Sequence, residues 1–480
     1  MKLRELLAGV EILSANVNMD MQITDVVYDS RKVTEGSLFV AISGFATDGN
    51  RFIPMALQKG AASVVSAKEQ ENIPYVRVSS DRLALAQIGA NFFGHPASSM
   101  KLIGVTGTNG KTSATLLLKH VLEQTIGAKV GLMGTMENMI GSLRIPTERT
   151  TPESFELQAL LAQMRDGGCT HAIMEVSSHA IALDRVAGLH YTVGAFTNLT
   201  EDHLDFHKTM EHYCDTKAIL FSRCDRGVLN CDDSWYERMT AKASCDLLTT
   251  SCKGNGDLRA VDAAFLADGV AFTAVFKEQK VPVKMGIPGK FTIYNALTVL
   301  GCAMQLGISL EDAAKALATA QGVKGRVEVV PTPGKDFTVL IDYAHTPDGL
   351  ENVLSSVKDF CKGRLIAVFG CGGDRDPIKR PIMGKIGTDL ADIAIITSDN
   401  PRTEEPGAII ADIVKGVDPE KNPIVIENRI RAIHQAMDIA EKDDIIVLAG
   451  KGHETYQEIQ GVKHHLDERE VVAAHLQEMR

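Results

Sequence analysis

Short apolar runs rich in valine and isoleucine recur along the chain, each breaking into polar or glycine-containing residues and each followed by a longer amphipathic stretch. A strand buried on both faces reads as a continuous apolar run, and a crossover helix carries its apolar residues three and four apart. The alternation therefore predicts an α/β protein built on parallel sheets. In the middle of the chain the runs are KLIGVTG (101–107), HAIMEVSS (171–178) and YTVGAFTN (191–198). A second series follows, FTVLIDYAH (337–345), RLIAVFGCGGDRD (364–376), DIAIITSDNPR (392–402) and DDIIVLAGKGHE (443–454), and predicts another doubly wound domain. Ligands of open α/β sheets sit beyond the carboxyl ends of the strands, so the four loops of this series are expected to line one crevice.

The first hundred residues hold shorter strand-like pieces, DVVYDSRKV and SLFVAISG, and end near FFGHPASSM, where Gly94 and Pro96 break a helical pattern. VVPTPGKD (329–336) reads as a linker or entry turn. A length of 480 residues is too great for one core. Three domains are expected, 1–98, 99–328 and 329–480. No repeat with a domain-building period and no low-complexity tract stands out.

Composition narrows the function. The 50 basic and 61 acidic residues leave a net charge of −11, which argues against broad binding to nucleic acid or anionic membrane, though not against a local phosphate pocket. The first residues lack a continuous apolar core and a small-residue cleavage site, and no run is long enough to span a bilayer, so a cytoplasmic location without membrane insertion is expected. Nine cysteines without paired spacing fit reduced thiols. Cys371, between glycines, reads as a small packing residue more readily than as a nucleophile.

GVTGTNGKT (104–112) lies between a buried strand and the helical pattern SATLLLKHVLEQ. Glycines let backbone N–H groups close on phosphate oxygens, Lys111 supplies a point charge, and the Thr112 hydroxyl at a helix start suits magnesium. The loop is a shortened variant of the usual phosphate-binding pattern, with Val105 where a glycine is expected. A Gly-rich turn kept only for packing is the alternative; the Gly-Lys-Thr at a helix start favours nucleotide binding.

TGTNGKT together with EVSSHA (175–180), TNLTEDHLDFH (197–207), YAHTPD (343–348) and GCGGDRD (370–376), in this order across nearly the whole chain, resembles the Mur ligase family of ATP-dependent acid–amino-acid ligases. The resemblance implies an N-terminal UDP-sugar-binding domain, a central phosphate-loop ATPase domain and a Rossmann-like C-terminal domain for the incoming amino acid. It implies ATP as co-substrate and Mg2+ as cofactor, with Gly107, Thr108, Asn109, Gly110, Lys111 and Thr112 at the phosphates and Asn295, Arg326 and Asp342 near the rest of the nucleotide. Glu175 and His203 become metal ligands alongside Thr112. Read alone, they are equally a solvated strand-end carboxylate and a structural histidine; Asp202 and His207 are weaker candidates. Lys217, in CDTKAILF, reads by residue type as an exposed lysine opening a helix. The resemblance implies instead a catalytic residue that is carbamylated and so becomes an anionic magnesium ligand, which requires the neutral amine.

DNPR (399–402) resembles the amino-acid recognition motif of the branch of the family that adds meso-diaminopimelate. Its guanidinium at Arg402 can pair with a distal carboxylate that lysine lacks. As a bare string it is also an acceptable turn. Arg375, Asp399, Asn400, Pro401, Arg402, Gly450 and Glu454 are the positions implied for that amino acid. Ser30, Thr150, Thr151, Ser177 and Arg185 are those implied for a UDP-MurNAc-dipeptide. Arg149 and Leu183 stand where relatives often have Asn and Gln. Two other readings are a folylpolyglutamate synthase, disfavoured by YDSR and DNPR, and a nonenzymatic nucleotide-binding regulator, disfavoured by His203, Lys217 and the acceptor loops. No obligatory protein partner is legible.

Overall fold

A computed structural model describes residues 1–44, 47–147, 149–266 and 269–479. The chain divides into two compact units, Met1–Thr250 with Thr298–Ser309, and Ser251–Leu297 with Leu310–Arg480.

The first unit begins with a sheet in the order Ile12–Ala15, Tyr75–Val78, Ser63–Ser66, Leu38–Val40, Val26–Val27, parallel except for its first strand. The valines, leucines and phenylalanine of these strands fill two small cores, one on each face. The helix Asp81–Phe92 closes one of them; it starts where the Ser80 hydroxyl accepts from the Leu83 N–H. It stops before Gly94 and His95, both with left-handed backbone (φ 68° and 51°), and a 3-10 turn Pro96–Ser99 leads into the next strand.

The larger sheet of this unit runs Asp246–Ser251, Cys224–Asn230, Tyr191–Phe196, Lys101–Thr106, His171–Glu175, Val130–Met133, with the short strands Asn138–Ile140 and Leu143–Ile145 added antiparallel at the end. The three runs expected to be strands are adjacent and parallel. The chain leaves Lys101–Thr106 toward one side of the sheet and His171–Glu175 toward the other, so the loops after these two strands flank a switch point, where open sheets form their crevice. The helix Lys111–Ile126 follows the first of these loops. Its buried Ala114, Leu117, Leu118, Val121 and Leu122 recur at helical spacing, and it ends at Gly127, whose φ of 59° suits a glycine cap.

In the second unit an antiparallel set, Leu258–Leu266, Gly269–Phe276 and Gln279–Met285, precedes a sheet in the order Glu328–Val330, Thr338–Asp342, Ile445–Ala449, Leu365–Phe369, Ile393–Ile396, Ile424–Val425. All four runs of the second series are neighbouring parallel strands, with apolar cores on both faces. Their carboxyl ends lie on one edge, as expected. Of the two readings of VVPTPGKD the linker is corrected and the turn holds: Val329 and Val330 belong to a strand antiparallel to Thr338–Asp342, and the prolines and glycine turn the chain between them. Among the described residues no helix is long and apolar enough to cross a membrane. Among the described residues no cysteine forms a disulfide, and Cys371 is buried against Met383 with its thiol pushed up to about 12 by burial, as suits a packing residue.

Candidate active site

The phosphate loop is braced from behind by the strand-end residues Thr197–Thr200. The Thr108 N–H donates to the Asn198 carbonyl (2.8 Å), the Asn109 N–H to Asn198 Oδ1 (3.0 Å), and Thr197 Oγ1 to the Asn109 carbonyl (2.6 Å). Gly107 has φ 144°, and a Cβ there would lie 2.0 Å from Thr197 Oγ1, so only glycine permits this bracing. Gly110 (φ 84°) turns the chain into the helix that starts with Lys111 and Thr112, leaving N-terminal N–H groups at the loop. Lys111 Nζ folds back onto the carbonyls of Gly107 (2.9 Å) and Thr108 (2.8 Å).

Lys217 is brought to the same place. The expected surface lysine at a helix start is overturned on both points: it occupies the last turn of the helix Met210–Ala218 and is 1% exposed. Its Nζ donates to the Gly107 carbonyl (2.9 Å) and lies 4.7 Å from the centre of the Tyr213 ring. Burial, and then the charge of Lys111, hold its pKa well below that of an ordinary lysine. Glu175 ends the strand beside the one that feeds the loop. It is buried, and its carboxylate accepts from the Thr135 N–H and hydroxyl, both at 2.9 Å. His203 has left-handed backbone (φ 54°), an exposed ring, and Asp202 at 3.4 Å. It meets His179 edge to face, with ring centres 4.7 Å apart. His207, by contrast, is buried, bonded through Nε2 to Ser178 Oγ (2.9 Å), and carries an Nδ1 with no hydrogen-bond partner.

Four of the five residues expected at the UDP-sugar converge. Thr151 Oγ1 contacts Ser177 Oγ (3.2 Å), the Thr151 carbonyl accepts from Arg185 (3.3 Å), and Thr150 accepts from Thr135 (3.0 Å). Arg185 and Arg82 share Glu153, at 3.4 and 3.3 Å. Ser30 is buried in a 3-10 turn near the N-terminal sheet; two residues earlier the Tyr28 hydroxyl donates to Glu156 (2.6 Å). Arg149 is exposed, and Leu183 offers only its carbonyl, to Arg82.

Asn295, Arg326 and Asp342 belong to the second unit. Asn295 is buried on the helix Lys290–Gln305. Asp342 is buried too, both oxygens taken by the N–H groups of Val327 and Ala344 (2.8 Å each), and burial pushes its carboxyl up. Arg326 lies over the Tyr343 ring at 5.2 Å, and that ring neighbours His345 and His453.

The loops expected at the amino acid form a tight cluster. Asn400 donates through Nδ2 to Glu454 (2.8 Å), while its Oδ1 accepts from Lys451 Nζ and the Glu458 N–H, both at 2.9 Å. Lys451, wholly buried, also reaches Glu454 (3.3 Å). Asp399 Oδ2 is buried without a hydrogen-bond partner, 3.9 Å from Arg429. Burial alone would raise this carboxyl, but the charges of Lys451 and Arg429 outweigh it and hold it low. Gly450 (φ 120°) keeps the space beside it open, since a Cβ would lie 2.5 Å from Oδ2. Arg402, at φ 52°, donates one Nη to the Gly373 carbonyl (2.7 Å) and is steadied by Glu458 at 3.6 Å. Pro401 joins these residues, and Arg375 stands exposed on the facing loop.

Sequence reasoning passed over Thr135, Tyr213, Lys451 and Arg429. Lys451 sits inside GKGHE and was legible; Arg429 starts a helix with no motif around it and carries no signal short of its packing.

Three family models match the chain in order: the Mur ligase family catalytic domain over residues 22–96, the Mur ligase middle domain over 105–303 and the Mur ligase glutamate ligase domain over 325–452. Over 488 aligned residues the chain is 48% identical to the UDP-N-acetylmuramoyl-L-alanyl-D-glutamate–2,6-diaminopimelate ligase of Clostridium tetani, covering 100% of each chain. It is 48% identical to the ligase of that name from Clostridium botulinum, over 95% of this chain and 96% of that one. A solved structure of a ligase so named superposes with a TM-score of 0.76 at 31% identity, covering 100% and 99% of the two chains. The chain belongs to the Mur ligase family and has its three-domain α/β fold.

Proposed function

We propose that the chain joins meso-diaminopimelate to UDP-N-acetylmuramoyl-L-alanyl-D-glutamate at the expense of ATP, in the cytoplasm, as a step of peptidoglycan precursor synthesis. Full-length identity of 48% to a relative named for 2,6-diaminopimelate addition carries the reading. In this reading residues 1–98 hold the UDP-sugar, 99–328 the ATP and 329–480 the amino acid.

The γ-phosphoryl group of ATP passes to the D-glutamyl side-chain carboxylate, releasing ADP. The amine of meso-diaminopimelate then attacks the acyl phosphate, phosphate leaves, and the amine gives up a proton. Both reactants of the first step are anions, so the protein must position them and offset their charge. Gly107–Thr112 supply N–H groups and Lys111 a cation for the phosphates. The buried Glu175 carboxylate, the Thr112 hydroxyl, the His203 imidazole and Lys217 as its carbamate form a donor set suited to Mg2+, which when bound would neutralise phosphate charge. Lys217 fits that modification because burial beside Lys111 favours the neutral amine, which adds to carbon dioxide and releases one proton. Thr150, Thr151, Ser177 and Arg185, with Ser30, bind the UDP-sugar, and Asn295, Arg326 and Asp342 the remainder of the nucleotide. At the amino acid, the unpaired Asp399 oxygen and Glu454 receive an ammonium, Arg402 and Arg375 take carboxylates, and Asn400, Pro401 and Gly450 shape the pocket.

The test is the pure protein with ATP, Mg2+ and the UDP-dipeptide, supplied with meso-diaminopimelate or lysine. UDP-tripeptide and ADP are expected with meso-diaminopimelate. A charge-assisted contact at Arg402 sets a preference over lysine of roughly 10- to 150-fold in kcat/KM, which Arg402→Ala abolishes. Equal use of lysine by the unaltered protein would overturn the amino-acid assignment.

A further inference from the structure

In the second unit, the later turns of two helices, away from Arg429 and Glu468, bring four metal-ligating side chains together. The helices are Arg429–Asp438 and Glu468–Glu478. Their apolar faces, Ala432, Ile433, Ala436 and Met437 on one and Val472 and Leu476 on the other, share one core. Their first residues are clamped by the buried Arg429–Glu468 pair (2.7 Å), so the helices run side by side in the same direction. Five to ten residues further along, His434 and Asp438 (four apart) face His475 and Glu478 (three apart), spacings that put each pair on one helix face.

The His434 and His475 rings are stacked, 4.0 Å between centres and 8° from parallel. Nitrogens of both and a Glu478 oxygen all lie within 4.8 Å of one another. His475 is buried and held at both ends, Nε2 against Asp438 (2.8 Å) and Nδ1 against Glu478 (3.2 Å). Metal-binding histidines characteristically give their second ring nitrogen to a carboxylate, which fixes the tautomer and raises ligand basicity. Here Asp438 takes that part for His475 and leaves Nδ1 directed at Glu478.

We propose that His434, His475 and Glu478 form a second metal site, for a divalent transition ion of the zinc class, with Asp438 orienting His475. Two imidazoles and one carboxylate are a borderline donor set that prefers such ions to magnesium or calcium. A tetrahedral ion with bonds near 2.0–2.1 Å wants its donors roughly 3.3 Å apart. An imidazole binds an ion in its own ring plane, so the half-buried His434 ring turns out of the stack and the exposed Glu478 closes onto the ion while the buried His475 stays fixed. The ion would fasten the last helix at its carboxyl end as Arg429–Glu468 fastens it at the start.

The experiment is equilibrium dialysis of the full chain against Zn2+ with excess Mg2+, compared with His434→Gln, His475→Gln and Asp438→Asn, and repeated with Co2+ to read the visible bands of tetrahedral coordination. The unaltered chain is expected to bind one more tight equivalent than either histidine variant and to gain thermal stability that His434→Gln lacks. Asp438→Asn should retain that equivalent with affinity weakened about 10- to 100-fold. His434→Gln alters a half-buried position and keeps the test decisive if His475→Gln folds poorly. Equal stoichiometry and affinity in the unaltered chain and His434→Gln would overturn the site.

Discussion

The phosphate-loop region and the loops proposed for the amino acid both gather lysine and arginine side chains, but they hold them differently. Lys111 and Lys217 are bonded to main-chain carbonyls, converging on that of Gly107. Lys451 is bonded through the Asn400 and Glu454 side chains, and Arg402, which donates to the Gly373 carbonyl, has the Glu458 carboxylate beside it at 3.6 Å. On its carbonyls Lys111 keeps its charge for an incoming anion, while the buried Lys217 beside it is held toward the neutral amine. A cation inside a web of carboxylates and amides spends much of its charge on the protein and instead fixes where the remaining polar atoms point. The first arrangement suits a highly charged phosphate chain, the second a zwitterion that must be distinguished from its relatives.

This contrast is tested most severely by Lys111→Ala. The lost Nζ would act on the transferring phosphoryl group, so turnover should fall by about 100- to 1,000-fold, in line with removal of a single preorganised charge-stabilising donor. The fold should persist, because the Gly107 carbonyl retains Lys217 and the loop keeps its bracing by Thr197 and Asn198. Steady-state ADP release alongside a thermal melt measures both. An activity loss under tenfold, or a collapse of the melt, would remove the distinction between a cation kept for ligand and one kept for structure.

Lys451→Met should invert that balance. It strips Asn400 Oδ1 of one donor and leaves Glu454 without its buried counter-charge. Leaving buried polar groups unpaired costs about 1–3 kcal/mol, so stability falls more than in Lys111→Ala. The amino-acid KM should rise on the order of tenfold as Asn400 and Glu454 lose their set positions, with the ATP KM little changed. An ATP KM that rose as much as the amino-acid KM would place Lys451 in a general structural role.

The same contrast explains what could be read from the sequence. Gly107, Gly110 and Lys111 are local and demand particular residue types at fixed spacing, so the loop, its strand and its helix were legible together. Thr197 and Asn198 lay within a recognisable string, but their bonds to Asn109 depend on two strands becoming neighbours. Residue type alone makes Lys217 a surface group and only the resemblance pointed elsewhere, because its burial comes from the packing of Tyr213 and the approach of Gly107. Asp399, Asn400 and Glu454 were readable through resemblance alone. Their mutual contacts join loops more than 50 residues apart, and Arg429, beneath them, has no motif at all.

The smallest effect expected concerns protons. Burial first, and then the neighbouring His179, His212, Lys217 and His203, bring the pKa of His207 from the ordinary 6.5 down to about 4. Between these values the unfolded chain binds a proton that the folded chain refuses, so this contribution to stability is whole above about pH 6.5 and drains away as the pH falls toward 4. His345 and His453 of the second unit are also lowered by burial, but His345 is bonded to the Tyr343 carbonyl, whereas His207 Nδ1 faces no acceptor that a new N–H could use. His207→Gln retains an amide able to reach Ser178 and removes the titration. Urea midpoints at pH 7 and pH 5 should therefore differ less in His207→Gln than in the unaltered protein, even if the variant is somewhat weaker at pH 7. Parallel losses in the two proteins would mean that His207 is protonated without cost, and that the histidines packed behind the phosphate loop are as tolerant of charge as the loops of the second unit.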